Sequence, residues 1–228
     1  MHRLAEFKIN QQERRSVSKN LCTLWYPCVP REKMMAEFPI DRDYLVSALS
    51  DLVRIDSVNP SLVSGGAGEA RIAAQVAAKM RRLGLTVTTL EAVPGRPSVV
   101  GRLKGSGGGR ALMLNAHLDT VGIEGMTDAL APAIRDGRLY GRGAYDMKGS
   151  LAACLAAVKA LVDAKTALSG DVVLAAVADE EYASIGTAEV VRRIPVSAAI
   201  VTEPTELDIC VAHKGFVWLE VETVGRAA

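Results

Sequence analysis

The chain has almost no net charge: 27 lysines and arginines face 26 aspartates and glutamates, leaving a formal +1. A balance so close to neutral generates no long-range field, so neither nucleic acid nor an anionic membrane surface is indicated as a partner. A cysteine framework is missing as well. Cys22, Cys28, Cys154 and Cys210 show no CxxC or other zinc-ribbon spacing, and Cys154 falls on the apolar stripe of a predicted helix, so a reducing compartment is expected. Long hydrophobic runs are absent: stretches such as Leu151 to Leu161 are too short or too interrupted for a membrane span. The N-terminal residues have no charged-then-apolar secretory pattern, and a cytoplasmic protein is the expectation. Covalent and nucleotide chemistries also lack their signatures. There is no GxSxG elbow, and neither Cys154 nor Cys210 sits in a nucleophile context with histidine. Gly105-Ser106-Gly107-Gly108-Gly109-Arg110 lacks the Gly-Lys-Ser/Thr ending of a phosphate-binding loop, and Lys148-Gly149-Ser150 has its lysine and glycine in the wrong order.

What is present is a globular composition, 228 residues of which 49% are hydrophobic, enough to bury one sizeable core. Residues 1 to about 36 mix Arg3, Lys8, Arg14, Arg15, Lys19, Arg31 and Lys33 with scattered apolar residues and show no sustained period. They read as a non-core extension: a disordered leader, an over-long start with Met34 or Met35 as the true beginning, or a basic arm. From Asp41 the pattern sharpens. Asp41 caps a helix with Leu45, Leu49, Leu52 and Val53 on one face, and Glu69 to Leu83 forms a second that ends at Gly84. Strands are expected at Leu85 to Leu90, Ser98 to Leu103, Ala111 to Asn115, Val172 to Val177 and Ala198 to Val201, with a hairpin around Asp136-Gly137. Helices are expected at Lys148 to Ala164 and Ile185 to Arg193. Strands alternating with helices imply an α/β fold with a mostly parallel sheet between helical layers, spanning residues 37–206. After Glu206 the alternation turns antiparallel, at Asp208 to Ala212 and Phe216 to Glu222, so residues 207–228 read as the first strands of a smaller domain. The chain stops straight after a good strand, and truncation is expected.

Chemistry gathers where strands end. His117-Leu118-Asp119, Asp146, Asp179-Glu180-Glu181 and Thr202-Glu203-Pro204 each follow an apolar strand or open a helix. In open parallel sheets the loops at the carboxyl ends lie close together, so one imidazole and several carboxylates should converge there, a ligand set suited to zinc or a similar divalent ion. Asp146 opens a helix, where the dipole tolerates a carboxylate, and its oxygens could bridge two ions. Asp119 lies two residues after His117 and is placed to accept a hydrogen bond from the ring nitrogen not facing metal. Of Glu180 and Glu181, one could bind metal while the other deprotonates a water.

The segments Leu114 to Val121, Leu139 to Gly149, Asp179-Glu180-Glu181 and Thr202-Glu203-Pro204 resemble those of the dinuclear zinc metallohydrolases typified by acetylornithine deacetylase, succinyl-diaminopimelate desuccinylase, aminoacylase and carboxypeptidase G. The resemblance runs from about Pro39 to Ala228. It implies a three-layer αβα sandwich with a smaller α+β lid and dimerisation domain. It also implies two divalent metal ions, zinc foremost with cobalt or manganese acceptable, and a homodimer when full length. The implied activity is amide hydrolysis, on a small N-acyl amino acid or a peptide, within amino-acid metabolism. By the resemblance His117 and Glu203 bind one metal, Glu181 helps bind the other, Asp146 bridges both, Asp119 orients His117 and Glu180 is the general base. The peptide after Asp146 is expected to be cis. The family carries two further histidines, one in the lid and one near the C-terminus, and this chain stops before both; His213 fills neither place. Uncovered core surface is therefore expected. The competing reading is a non-catalytic fragment or binding module on the same scaffold.

Overall fold

The structure, a computed structural model, describes residues 38–212, 215, 222, 224 and 225. Asp41 opens the first helix as its sequence requires: the carboxylate accepts the Tyr44 N–H at 2.9 Å and caps α1 (Arg42–Val53), which buries Ala48, Leu52 and Val53. Helix α2 (Ala70–Arg82) turns Ile72, Val76 and Met80 inward and gives way at Gly84, whose φ of 82° suits the left-handed turn after a helix end. Three strands follow, β1 (Thr86–Glu91), β2 (Pro97–Leu103) and β3 (Leu112–His117). The short hairpin of β4 (Ala133–Arg135) and β5 (Arg138–Tyr140) turns on Asp136 and Gly137, both at positive φ. Helix α3 (Lys148–Asp163), β6 (Val172–Val177), α4 (Ile185–Arg193) and β7 (Ala198–Val201) complete the series.

The sheet order is β1-β2-β6-β3-β7. Strand β3 pairs in parallel with β6 on one side and β7 on the other, whereas β2 runs antiparallel to both β6 and β1. Only β2 is reversed, so the expected mostly parallel sheet is present with one strand turned round. Helices cover both faces. Leu174 and Ala176 of β6 join Leu52, Ile72, Leu151 and Leu155 beneath α1, α2 and α3, while Val173, Ala175 and Val177 point the other way and meet Val190 of α4. Burial on both faces is why β6 reads as a continuous apolar run rather than an alternating one. Each fully buried leucine of this core contributes on the order of 1.5–3 kcal/mol.

Among the described residues strand β7 lies at an edge of the sheet, and its Ile200 and Val201 are 50% and 58% exposed. Asp208 to Ala212, expected as a strand, are not in one. A strand needs a neighbour to take its backbone groups, and no described strand pairs with this segment. Residues 1–36, His213 and all of Phe216 to Glu222 except Glu222 lie outside the described residues, so the N-terminal extension and the second domain remain expectations. The Asp146–Met147 peptide bond is cis, as the resemblance implies.

Candidate metal centre

Register brings the three strand-end segments to one place. Because β3 lies between β6 and β7, His117 at the end of β3 stands level with Val177 of β6, and Asn115 with Val201 of β7. The chain leaving β6 therefore delivers Glu180 and Glu181 on one side of His117, and the chain leaving β7 delivers Glu203 on the other. Helix α3 packs on β3 and β6, which sets Asp146, just before its first turn, above the same edge. His117 Nε2 lies 3.0 Å from Asp146 Oδ1 and 3.9 Å from Glu180 Oε2. His117, Asp146 and Glu203 each present a ligand atom, all within 4.8 Å of one another. Glu181 falls outside that trio, though close enough for its charge to be felt there.

Asp119 does its work differently from the expectation. His117 Nδ1 donates to the backbone carbonyl of Asp119 at 2.9 Å, while the nearest carboxylate oxygen is 3.7 Å away. The carboxylate is engaged elsewhere: Oδ1 accepts the Glu180 N–H at 3.0 Å, and Oδ2 accepts the Glu181 N–H at 3.2 Å and the Asn59 side-chain amide at 2.7 Å. Asp119 thus fixes the tautomer of His117 through its main chain and ties down the Glu180-Glu181 turn through its side chain.

The charges explain what the arrangement is for. Burial opposes a charge on His117, but its hydrogen bond to Asp146 and the nearby carboxylates of Asp119, Glu203 and Glu180 outweigh that and push its pKa up to about 9. The same hydrogen bond lowers the pKa of Asp146. Burial pushes Glu181 up to about 7 and raises Glu203, and the neighbouring carboxylates add to both. A site that strains to acquire protons is one that a divalent cation would neutralise, and one imidazole with several carboxylates is a fitting donor set. Beside Glu203 opens a cleft of about 860 Å³, lined by Tyr145, Cys154, Ala157, Ile200 and Pro204 among others.

Sequence reasoning missed Asn59, Glu69 and Arg96. By pattern alone Asn59-Pro60 is a helix stop, Glu69 a helix start and Arg96 part of a turn, yet Asn59 and Glu69 are fully buried. The available signal was the pattern Pro94-Gly95-Arg96-Pro97, a charged residue held rigidly just before a buried strand. Lys148, by pattern only a helix start, is also buried, its Nζ donating to the Ile55 carbonyl at 2.8 Å, and burial lowers its pKa to about 8.

Comparison with known proteins gives a consistent picture. Residues 113–223 match the model of the peptidase family M20/M25/M40. The chain is 34% identical over 157 residues to N-formyl-4-amino-5-aminomethyl-2-methylpyrimidine deformylase of Bacillus subtilis, covering 65% of this chain and 37% of that protein. It is 37% identical over 170 residues to succinyl-diaminopimelate desuccinylase of Gluconacetobacter diazotrophicus, covering 69% and 42%. The chain therefore spans less than half the length of these curated relatives. Among solved structures, human carnosine dipeptidase 1 superposes with a TM-score of 0.63 at 24% identity, over 75% of this chain and 40% of that one. That likeness establishes the fold.

Proposed function

This chain belongs to the M20/M25/M40 peptidase family, and from that premise we propose that it supplies the metal-binding part of a hydrolase that cleaves an amide bond. The observation that carries the reading is the convergence of His117, Asp146 and Glu203 within 4.8 Å of one another, with Glu180 beside them. In this assignment His117 and Glu203 would hold one divalent cation, Glu181 would help hold a second, and Asp146 would serve both. Zinc suits the set best, and cobalt or manganese fit the same carboxylate-rich donors. When bound, such cations lower the pKa of water and polarise an acyl oxygen. Glu180 is the general base: held at the rim by its own N–H bond to Asp119, it takes a proton from water and returns it to the leaving amine. Asp119 keeps Nε2 of His117 turned to the ligands.

The names of the relatives, a deformylase and a desuccinylase, support a small N-acyl compound as the substrate class. A small N-acyl amino acid or peptide lying in the cleft beside Glu203 is the proposed substrate. In this reading residues 37–206 are the metal-binding domain and 207–228 begin a lid and dimerisation domain of a homodimer, placed in the cytoplasm where the unpaired Cys154 and Cys210 would remain reduced. The test has two arms. Equilibrium dialysis at neutral pH should find zinc bound to the chain, and Glu180→Gln in the active form should abolish release of amine from N-formyl, N-acetyl and N-succinyl amino acids while zinc stays bound. A chain that takes up no zinc supports the non-catalytic reading instead, and unchanged turnover in Glu180→Gln removes the base assignment.

A further inference from the structure

One nearly buried cation that the proposed reaction leaves unused is Arg96. It sits in the turn between β1 and β2, with its side chain only 11% exposed. Its guanidinium makes a two-pronged contact with Glu69, Nε to Oε2 at 2.5 Å and one terminal nitrogen to Oε1 at 2.6 Å. That same terminal nitrogen reaches Asp179 Oδ1 at 3.0 Å and Asn59 Oδ1 at 3.1 Å, and the other donates to the Ser61 hydroxyl at 3.2 Å. Two of these partners, Glu69 and Asn59, in turn grip the turn that carries Glu180 and Glu181. Glu69 Oε1 accepts the Asp179 N–H at 3.1 Å. The Asn59 amide donates both to Asp179 Oδ1 at 3.1 Å and to Asp119 Oδ2 at 2.7 Å, and Asp119 accepts the N–H groups of Glu180 and Glu181. Asn59 is itself clamped beside Asp119, its N–H bonded to the Thr120 carbonyl at 2.9 Å and Thr120 N–H to the Ser57 carbonyl at 3.0 Å.

Geometry gives this chain of contacts a purpose. Asp179 adopts a left-handed backbone, φ 63°, a region uncommon for residues other than glycine, though aspartate enters it more readily than most. Left to itself the turn would relax toward commoner conformations, and the directions of Glu180 and Glu181 would change with it. A guanidinium is the right shape to prevent this, because a rigid planar fork can bind Glu69 with two parallel bonds while its remaining edge faces Asp179 and Asn59. We propose that Arg96 is a positioning residue of the metal centre, holding the Asp179-Glu180-Glu181 turn through Glu69, Asn59 and Asp179 so that both glutamates face His117. Nothing in the contacts brings Arg96 to substrate or metal; it acts only through the turn. The inference rests on the hydrolase reading in one respect, that Glu180 and Glu181 serve a metal centre.

Two readouts separate its failure from failure of that reading. Residue-resolved amide exchange on the 228-residue chain, in chelator, reports the turn without any metal. Cobalt(II) titration followed by visible absorption reports the centre, with cobalt alone as the probe. In Arg96→Met the Glu180 and Glu181 amides should exchange about ten-fold faster while those of β3 and β6 keep their rates, and cobalt should bind roughly 10- to 100-fold more weakly, the range seen when groups behind metal ligands are removed. Arg96→Lys keeps the charge without the fork, so it should fall between the two, and it carries the test if Arg96→Met does not fold. Unchanged exchange at Glu180 and Glu181 overturns the positioning role whatever cobalt does. Acceleration at β3 and β6 equal to that at the turn, in both variants, also overturns it, because Arg96 would then support only the fold. Faster exchange confined to the turn, in a chain that binds no cobalt even in its parent form, upholds the positioning role and refutes the hydrolase reading.

Discussion

The acid-rich centre should make the chelated chain less stable as pH rises from 6 to 8, the opposite of the usual acid sensitivity. His117 carries the effect. Its pKa is pushed from 6.5 up to about 9 in the fold, so the folded chain holds that proton more tightly than the unfolded chain does. The stabilisation is complete below 6.5 and is lost as pH climbs through about 9; its full size is about 3 kcal/mol, of which about 2 kcal/mol disappears between pH 6 and 8. Glu181, raised from 4.5 to about 7, acts with the same sign, since its neutral form is the one the fold prefers. Lys148 works against both, but only above pH 8: its pKa is lowered from 10.5 to about 8, so stability returns as pH rises toward 10.5. The window from 6 to 8 therefore isolates the centre. Urea unfolding in EDTA at pH 6, 7 and 8 measures it directly. Saturating zinc should invert the trend, because the cation must displace the His117 proton and binds better as pH rises. Stability in EDTA that is flat or increasing over this window would refute the charge argument on which the metal assignment leans.

Three other outcomes follow from particular contacts. Asp146→Asn should return the His117 imidazole toward its ordinary pKa of 6.5, seen by NMR titration of the ring in chelator, because the hydrogen bond to Asp146 is the leading influence raising it; a value still near 9 would contradict that. A methyl group on Gly149 would stand 2.4 Å from the Ala144 carbonyl oxygen, so Gly149→Ala should displace the loop carrying Asp146, weaken zinc binding and lower stability by about 1–3 kcal/mol in denaturant melts. Leu155→Ala, at a fully buried position of α3, should cost about 2–5 kcal/mol with the slope of the urea transition unchanged and zinc affinity of the folded chain preserved.

Much of this architecture is legible in the sequence because its elements obey local rules. The Asp41 cap, the Gly84 stop, the Asp136-Gly137 turn and the β6 run Val172–Val177 each encode their geometry within a few residues, and the structure places them accordingly. The convergence of His117, Asp146 and Glu203 is legible too, because strand ends of a parallel sheet share an edge. What the sequence hides is pairing across long separations. Arg96 meets Glu69 27 positions away and Asp179 83 positions away, and no period or motif links them. The direction of the Asp119 carboxylate is likewise invisible, since it depends on which buried donors reach it, and these are the Asn59 amide and the N–H groups of Glu180 and Glu181.

The two hidden layers have one physical cause. A centre that gathers Asp146, Glu180, Glu181 and Glu203 around a single imidazole repels itself, and the His117 charge at the end of β3 offsets only part of that repulsion, since Glu181 and Glu203 still stand above their ordinary pKa. The carboxylates are held in place from behind, by hydrogen bonds that are buried or partly buried, where such bonds are stronger and an unmet partner is costly. That is where Asp119, Asn59, Glu69, Asp179 and Arg96 are found, each nearly or wholly removed from solvent except the partly accessible guanidinium. Rigidity behind the centre lets its front face remain open to the cleft, with Asp146 exposed and Glu203 half-buried, where the proposed cation and acyl group would enter. A centre with the same ligands and a loose rear wall would relax its carboxylates apart, and would lose affinity for metal before it lost its fold.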